Sequence, residues 1–181
     1  VDAILNYITQ MANVRGEFEL QQKSLQVLLQ SREKANVLWE QITALAVKSP
    51  FRVTELVSYT RQLAAYQIES DKLFDTTKRL ADVSAGLGVD MQRLILAYGQ
   101  VRSASFLRGT ELRQFTEAGI PMLEELAKYF TEIRGEAVSV GDVFDMISKR
   151  MVRFADVDAV FQRLTSNGGL FYNMQEKQAD T

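Results

Sequence analysis

The chain has 181 residues, with 21 basic and 23 acidic side chains, a net charge of −2, and neither cysteine nor histidine. These absences exclude disulfides, thiolate nucleophiles, Cys/His zinc sites and catalysis by an imidazole base. The basic residues are scattered, which argues against binding to nucleic acid or anionic lipid, and no apolar run approaches the ~20 residues of a membrane span.

The first predicted element covers residues 1–49. Its apolar residues recur at steps of three and four, which predicts one long amphipathic helix or a broken pair. Gly16 and the polar run at 19–24 suggest a kink or an exposed portion, and Ser49-Pro50 ends the segment. Trp39 lies off the stripe, so it either widens the buried face or contacts a partner. The stripe comprises Ile4, Ile8, Met11, Val14, Phe18, Leu25, Leu28, Ala35, Leu38, Ile42 and Leu45.

Shorter helices follow, because breakers recur roughly every fifteen to twenty residues between Pro50 and Gly169. Two early ones carry Leu56, Tyr59, Leu63 and Tyr66, and then Leu73, Phe74, Leu80 and Val83. Gly86-Leu87-Gly88 closes the second as a C-cap and turn, and Asp90 is a good N-cap for the next. A loop over residues 103–109 then leads into a helix over 111–118.

Gly119-Ile120-Pro121 is the clearest boundary between two predicted helices in the sequence. Glycine suits the left-handed position after a helix, and proline suits the first turn of the helix that follows. That helix carries Leu123, Leu126, Ala127, Phe130 and Ile133 and continues to Gly135.

The last helices begin at Ser139, where Asp142 stands three residues on as a near capping box. The predicted core face of this helix is Val143, Phe144, Ile147 and Met151. A final stripe of Val157, Val160, Phe161 and Leu164 precedes Asn167-Gly168-Gly169.

We therefore predict an all-α fold, a multi-helix bundle of about seven to nine helices. Residues 1–49 form a long amphipathic segment that projects from a compact helical domain over residues 50–181. Since the chain opens with Val1-Asp2 and stops without a distinctive tail, both ends are expected to be cuts in a longer polypeptide.

Only carboxylate, lysine, tyrosine or serine chemistry remains open to this composition. Glu124 with Glu125, or Asp142 with Asp145, could be nominated as acid–base pairs, but acidic residues in a first helical turn usually complement the helix dipole. Ser103 and Ser105 have no nearby lysine that could activate a serine nucleophile, and we expect them to be turn residues. The aromatics between Phe106 and Tyr172 mostly fall on apolar helix faces and are expected in the core. No catalytic, cofactor-binding or metal-binding residue is predicted.

From about Val14 to Gln178, the chain resembles phage tail tape measure proteins, especially a region common in prophages of gut Bacteroidales. The most specific phrases are Ala97-Tyr98-Gly99-Gln100-Val101, then residues 107–115 (LRGTELRQF), then Glu117-Ala118-Gly119-Ile120-Pro121. Ser49-Pro50-Phe51 and Gly168-Gly169 stand in the matching order on either side.

The resemblance implies a structural role in tail assembly and in determining tail length. The implied partners are the tail tube, tail assembly chaperones and a second copy of the chain, and the implied location is the host cytoplasm during assembly and then the virion tail. The alternatives are a tail-associated peptidoglycan-degrading enzyme and a cellular helical adaptor. No catalytic residue is carried over from the family, because the matched phrases consist of turns and helix faces.

The matched phrases also suggest structural roles. Gly99, Gly109 and Gly119 recur ten residues apart, each near a predicted helix end or close contact. Gln100 and Gln114 either pin the turns through amide hydrogen bonds or are ordinary exposed glutamines. The candidate motif residues are Pro50, Phe51, Gly99, Gln100, Gly109, Glu111, Gln114, Gly119, Ile120 and Pro121.

Overall fold

The computed structural model describes residues 1–179 and is all-α over that range, as predicted. Ten α-helices lie in the described residues, where seven to nine were predicted, and one isolated bridge joins Phe106 and Arg153. Residues 180 and 181, the end of the predicted compact domain, lie outside the described part. The helices are α1 (Asp2–Leu29), α2 (Arg32–Val47), α3 (Val53–Ala65), α4 (Leu73–Leu87), α5 (Met91–Ala104), α6 (Gly109–Ala118), α7 (Met122–Arg134), α8 (Val140–Ser148), α9 (Phe154–Thr165) and α10 (Met174–Ala179), with a 3₁₀ turn at Ser70–Lys72.

The N-terminal segment is a broken pair, with the break at Gln30 and Ser31. Gln30 takes the left-handed conformation (φ 51°), and the Ser31 hydroxyl caps α2 by accepting from the Lys34 N–H at 3.1 Å. Of the two alternatives predicted around Gly16, the kink is absent, since α1 runs through it unbroken, whereas an exposed portion is present at residues 17–20. A single glycine weakens a helix by about 1 kcal/mol but leaves its hydrogen-bond ladder intact.

The core is one cluster that extends from Leu25 to Phe171. Helix α4 is central and packs against α2, α3, α5, α9 and α10. Since Ala35, Leu38, Ile42 and Leu45 of α2 are all buried in the same cluster, α2 is part of the body.

Aromatic side chains fill the core between α5, α6 and α9. The Phe161 ring meets the rings of Tyr98 and Phe115 edge-to-face, with centroids 5.5 and 5.6 Å away. The Tyr98 hydroxyl donates to Asp158 Oδ1 at 2.7 Å, so its buried polar end is satisfied. Burial of the ring raises the pKa of Tyr98 far above its ordinary value, which keeps this donor neutral.

Two predicted core faces need correction. In α8, Val143, Met146 and Ile147 are buried, whereas Phe144 is 59% exposed and Met151 lies beyond the helix in solvent. On α7, Ile133 is also exposed. Successive helical residues are rotated by about 100°, so the residue beside a buried one can face outward.

Local sequence chemistry sets the helix ends as predicted. The Asp90 carboxylate accepts from the Gln92 N–H at 2.9 Å, and Ser139 and Asp142 form a complete capping box. Gly88 and Gly135 both take the left-handed conformation just after α4 and α7.

A buried polar cluster fastens α10 to α4. The Gln175 side-chain amide donates to Asp82 Oδ1 and to the Lys78 carbonyl, both at 3.1 Å, and accepts from the Ser49 hydroxyl at 2.7 Å. Lys78 Nζ lies 3.0 Å from Asp82 Oδ2 and 3.1 Å from Asn173 Oδ1. We call these five residues the C-terminal clasp.

Candidate interaction surface

The N-terminal half of α1 lies outside the core. Every residue from Val1 to Arg15 is exposed. The side chains of Ile4 and Tyr7 are 65% and 63% exposed, whereas Leu25, near the end of the same helix, is fully buried. One helix therefore has a covered part and an uncovered part.

The uncovered part carries an apolar stripe. Its residues follow alternating steps of three and four, which is the a/d spacing of a coiled coil. The same spacing leads on to Gln21, Leu25 and Leu28, so the covered and uncovered parts share one face. We call the exposed stripe the N-terminal seam; it comprises Ile4, Tyr7, Met11, Val14 and Phe18.

Tyr7 was missed by the sequence analysis, which placed Ile8 on the stripe instead. Ile8 is equally exposed and flanks the seam at the neighbouring position. Strict three–four alternation from Ile4 to Leu28 is the signal that selects Tyr7 over Ile8.

Helix α2 covers the seam at its C-terminal end. The Phe18 and Trp39 rings meet edge-to-face with centroids 5.7 Å apart. Trp39 is half-buried and packs against the core, so it widens the buried face of α2 toward α1. This contact decides between the two interpretations that the sequence left open.

A groove of about 540 Å³ lies where α1 leaves the body. Val14 and Phe18 form one side, and Val47, Pro50 and Phe51 at the α2–α3 corner form part of the other. Phe51 packs edge-to-face on Tyr59 at 5.7 Å, and its N–H donates to the Ser49 hydroxyl. Two of the predicted motif residues, Pro50 and Phe51, thus lie beside the seam.

The corner between α6 and α7 has the predicted left-handed glycine. Gly119 has φ 99°. Its N–H donates to the Thr116 carbonyl, and the Ile120 N–H donates to the Phe115 carbonyl at 2.9 Å, which together form a Schellman motif. Ile120 is buried, and Pro121 stands one residue before the first residue of α7.

The other two glycines of the ten-residue series differ from each other. Gly99 lies inside α5 under the Tyr66 ring, where an added Cβ would stand 2.4 Å from two ring carbons. Gly109 is the first residue of α6, and an added Cβ there meets nothing within 4 Å. Gly99 therefore allows a side chain to approach the backbone of α5 closely, Gly109 begins a helix, and Gly119 follows the end of one.

The predicted polar motif residues do not pin the turns. Among the described residues, neither Gln100 nor Gln114 makes a side-chain hydrogen bond, and Gln114 Oε1 is buried without a partner. Both glutamines lie inside helices, where the backbone groups they would pin are already bonded. Glu111 instead bonds Arg108 Nε at 2.7 Å, although its Oε2 is buried and unpartnered.

The carboxylates considered for catalysis have helix-end roles. Asp142 accepts from the Ser139 N–H, and this hydrogen bond lowers the pKa of the Asp142 carboxyl. Glu125, in the first turn of α7, lies 3.4 Å from Lys128 Nζ. Asp145 pairs with Lys149 at 3.2 Å on the surface. Asp142 is thus engaged by a cap, Glu125 and Asp145 pair with neighbouring lysines, and Glu124 lies in the first turn of α7, where its charge complements the helix dipole.

Within residues 1–179, no three acidic residues lie close enough together to hold a metal ion. Over the same range, no helix has both the length and the apolar character needed to span a membrane.

Comparison with known proteins gives a family but no closer relative. A family model described as a tape measure protein matches residues 9–181. No curated protein and no solved structure matches the chain. The family match covers the body and most of the N-terminal seam.

Proposed function

The chain belongs to the tape measure protein family, and on this premise we propose that it is a scaffold segment that acts in tail assembly and in setting tail length. Members of this family are structural components of the phage tail. We propose no catalytic step for this segment; we propose that it acts by binding other tail proteins.

The observation that carries the proposal is the family match over residues 9–181, and the division of the fold supports it. The body satisfies its own core, whereas the N-terminal seam leaves an apolar helix face unpartnered. An apolar face exposed on an otherwise packed chain marks a contact surface. We propose the tail tube protein and the tail assembly chaperones as partners, met first in the host cytoplasm and then in the virion tail.

The length that this segment would add to the tail depends on whether it stays folded. A continuous helix of this many residues would extend about 270 Å at 1.5 Å per residue. The compact body has a diameter of only about 40 Å, from the scaling of its radius of gyration, and the exposed N-terminal half of α1 adds up to about 20 Å. The proposed segment, if it stays folded, contributes the smaller distance.

The test is an in-frame deletion of residues 1–179 in the phage, with tail lengths measured by electron microscopy. Loss of tails supports a role in assembly. Shortening by about 40–60 Å supports a folded segment that counts toward length, and shortening by about 270 Å supports one that unravels in the tube.

The control is a phage in which the same codons are recoded without a change in protein sequence. Its tails should keep their number and length. Normal numbers of full-length tails in the deletion phage would contradict the proposal.

A further inference from the structure

We propose that an arginine patch on the body is a docking surface for an acidic segment of a partner protein, whose carboxylates it binds. The arginine patch consists of Arg102, Arg150 and Arg153, and it lies where the loop after α5 meets the loop between α8 and α9. The inference concerns the surface of this chain and does not depend on the proposed tail role.

The fold brings these arginines together from two distant parts of the sequence. The Leu107 N–H donates to the Val152 carbonyl at 2.8 Å, and the bridge between the two loops sets Phe106 opposite Arg153 in antiparallel pairing. Side chains alternate between the two sides of such a pair. Leu107 and Val152 are fully buried, so they face the core, and Phe106 and Arg153 lie on the outer side.

Two aromatic rings orient the other arginines of the patch. The Arg150 guanidinium lies over the ring of Phe106, 5.3 Å from its centroid, and Phe106 is the residue opposite Arg153. The Arg102 guanidinium lies 5.7 Å from the centroid of Phe154, which directly follows Arg153. A guanidinium stacked on a ring keeps its edge N–H donors free, so a ligand can be bound with little further loss of side-chain entropy.

The arginine patch has no partner within the described residues. Across residues 1–179, its three side chains make neither an ion pair nor a hydrogen bond. The neighbouring cations differ in this respect, since Arg108 pairs with Glu111 at 2.7 Å and Lys149 pairs with Asp145 at 3.2 Å. These nearby carboxylates are thus already paired, and three positive charges remain for an outside partner.

The backbone at Arg150 gives independent support. Arg150 has φ 60° and follows the end of α8, where the Met151 N–H donates to the Met146 carbonyl at 2.9 Å, in the same Schellman pattern as at Gly119. This left-handed position favours glycine, because a Cβ is strained there. An arginine in this position weakens the fold, which is the pattern expected of a side chain that serves a binding surface.

Carboxylates fit the patch better than the phosphates of a nucleic acid. A guanidinium binds a carboxylate through two parallel N–H donors, and a peptide can place its carboxylates one at a time. Asp145 on α8 and Asp156 on α9 border the patch and would repel the continuous row of charges along a nucleic-acid strand. Base stacking needs free ring faces, whereas guanidiniums already lie over the rings of Phe106 and Phe154.

Binding of a fluorescent peptide of eight glutamates to the whole chain tests the proposal. A peptide of eight glutamines and a single-stranded DNA of eight thymidines are the comparison probes. The glutamate peptide should bind more tightly than either, and its affinity should fall as salt rises from about 20 to about 200 mM, since exposed charges are screened. Failure of the glutamate peptide to bind, or tighter binding of the DNA, would overturn the proposal.

A double variant tests whether the patch is the site. Arg150→Gln with Arg153→Gln should weaken binding of the glutamate peptide about tenfold, because each exposed ion pair contributes a factor of about three to five. Lys23→Gln with Arg93→Gln is the matched control, since both residues are exposed, lie outside the patch and make no ion pair among the described residues. The control changes the net charge equally and should keep the affinity, so equal losses in both double variants would overturn the proposal.

Arg150→Gly separates binding from a role in the fold. Glycine relieves the left-handed backbone, so this variant should melt at or above the temperature of the unaltered chain. Its binding of the glutamate peptide should nevertheless weaken by a factor of about three to five. A lower melting temperature with unchanged peptide binding would show that Arg150 serves only the fold, and would overturn the proposal.

Discussion

The two halves of α1 show how one sequence pattern can have two structural outcomes. Both halves carry apolar residues at the same three–four spacing. In the C-terminal half, Leu25 is fully buried against the body, whereas in the N-terminal half Tyr7 and Met11 remain more than half exposed. The spacing determines which face is apolar, but the helices packed against α1, which are α2 and α3, determine how much of that face is covered.

The same contrast separates the seam from the aromatic core. Phe161 is held between Tyr98 and Phe115 with no exposed surface, and Phe18 touches Trp39 but stays 38% exposed. The core aromatics stabilise the fold of a single chain. The seam residues contribute little to that stability and are free to bind a partner.

The largest expected effect comes from making the same substitution in both regions. Phe161→Ala should lower the free energy of unfolding by about 3–5 kcal/mol, since it leaves a cavity in a closed core. Phe18→Ala should cost only about 1 kcal/mol, for the loss of one partly exposed edge-to-face pair. Chemical denaturation of both variants at low concentration measures the difference in the free energy of unfolding. Equal losses of stability in the two variants would contradict the distinction between core and seam.

A second pair of variants compares the same substitution at two glycines of the body. Gly119→Val should cost about 2–3 kcal/mol, because a β-branched side chain resists the φ of 99°. Its Cβ would also press on Leu87 at 3.2 Å. Gly109→Val is the control, at a helix start with open space, and should change stability by less than about 0.5 kcal/mol. An unchanged thermal melt for Gly119→Val would refute the corner assignment.

The smallest expected effect concerns the cap of α8. Ser139→Ala removes the hydroxyl that accepts from the Asp142 N–H and should cost about 1 kcal/mol near neutral pH. The pKa of Asp142 should then rise toward its ordinary value, but only in part, because the backbone N–H of residue 139 still donates to it. Carboxyl titration by NMR gives this pKa.

The sign of the associated pH dependence is fixed by the same hydrogen bonds. The folded pKa of Asp142 lies below the unfolded value, so the contribution of this carboxyl to stability is present above the unfolded pKa. It is lost as the pH falls from that value through the lowered folded pKa. A flatter loss of stability in acid is therefore expected for Ser139→Ala than for the unaltered chain.

The sequence predicted those features that depend on neighbouring residues. The Gly119 corner, the Asp90 cap and the Ser139 capping box each rest on side chains within a few positions, and all three are present. The all-helical class follows from periodicity in the same way.

Features that depend on the rest of the molecule were missed. Asp82 and Gln175 of the C-terminal clasp are 93 positions apart, and no local pattern joins them. Phe144 and Ile133 were placed in the core because apolar spacing alone cannot tell which of two adjacent faces is covered. Gln100 was expected to pin a turn through its amide or to be an ordinary exposed glutamine, and among the described residues its side chain makes no hydrogen bond.

Hydrogen exchange tests most directly whether the N-terminal half of α1 is a surface separate from the packed body. In the isolated chain, amides of residues 5–15 should exchange rapidly while the amide of Leu25 is protected, because only the latter part of α1 is packed on the body. Protection of residues 5–15 equal to that of Leu25 would contradict the account.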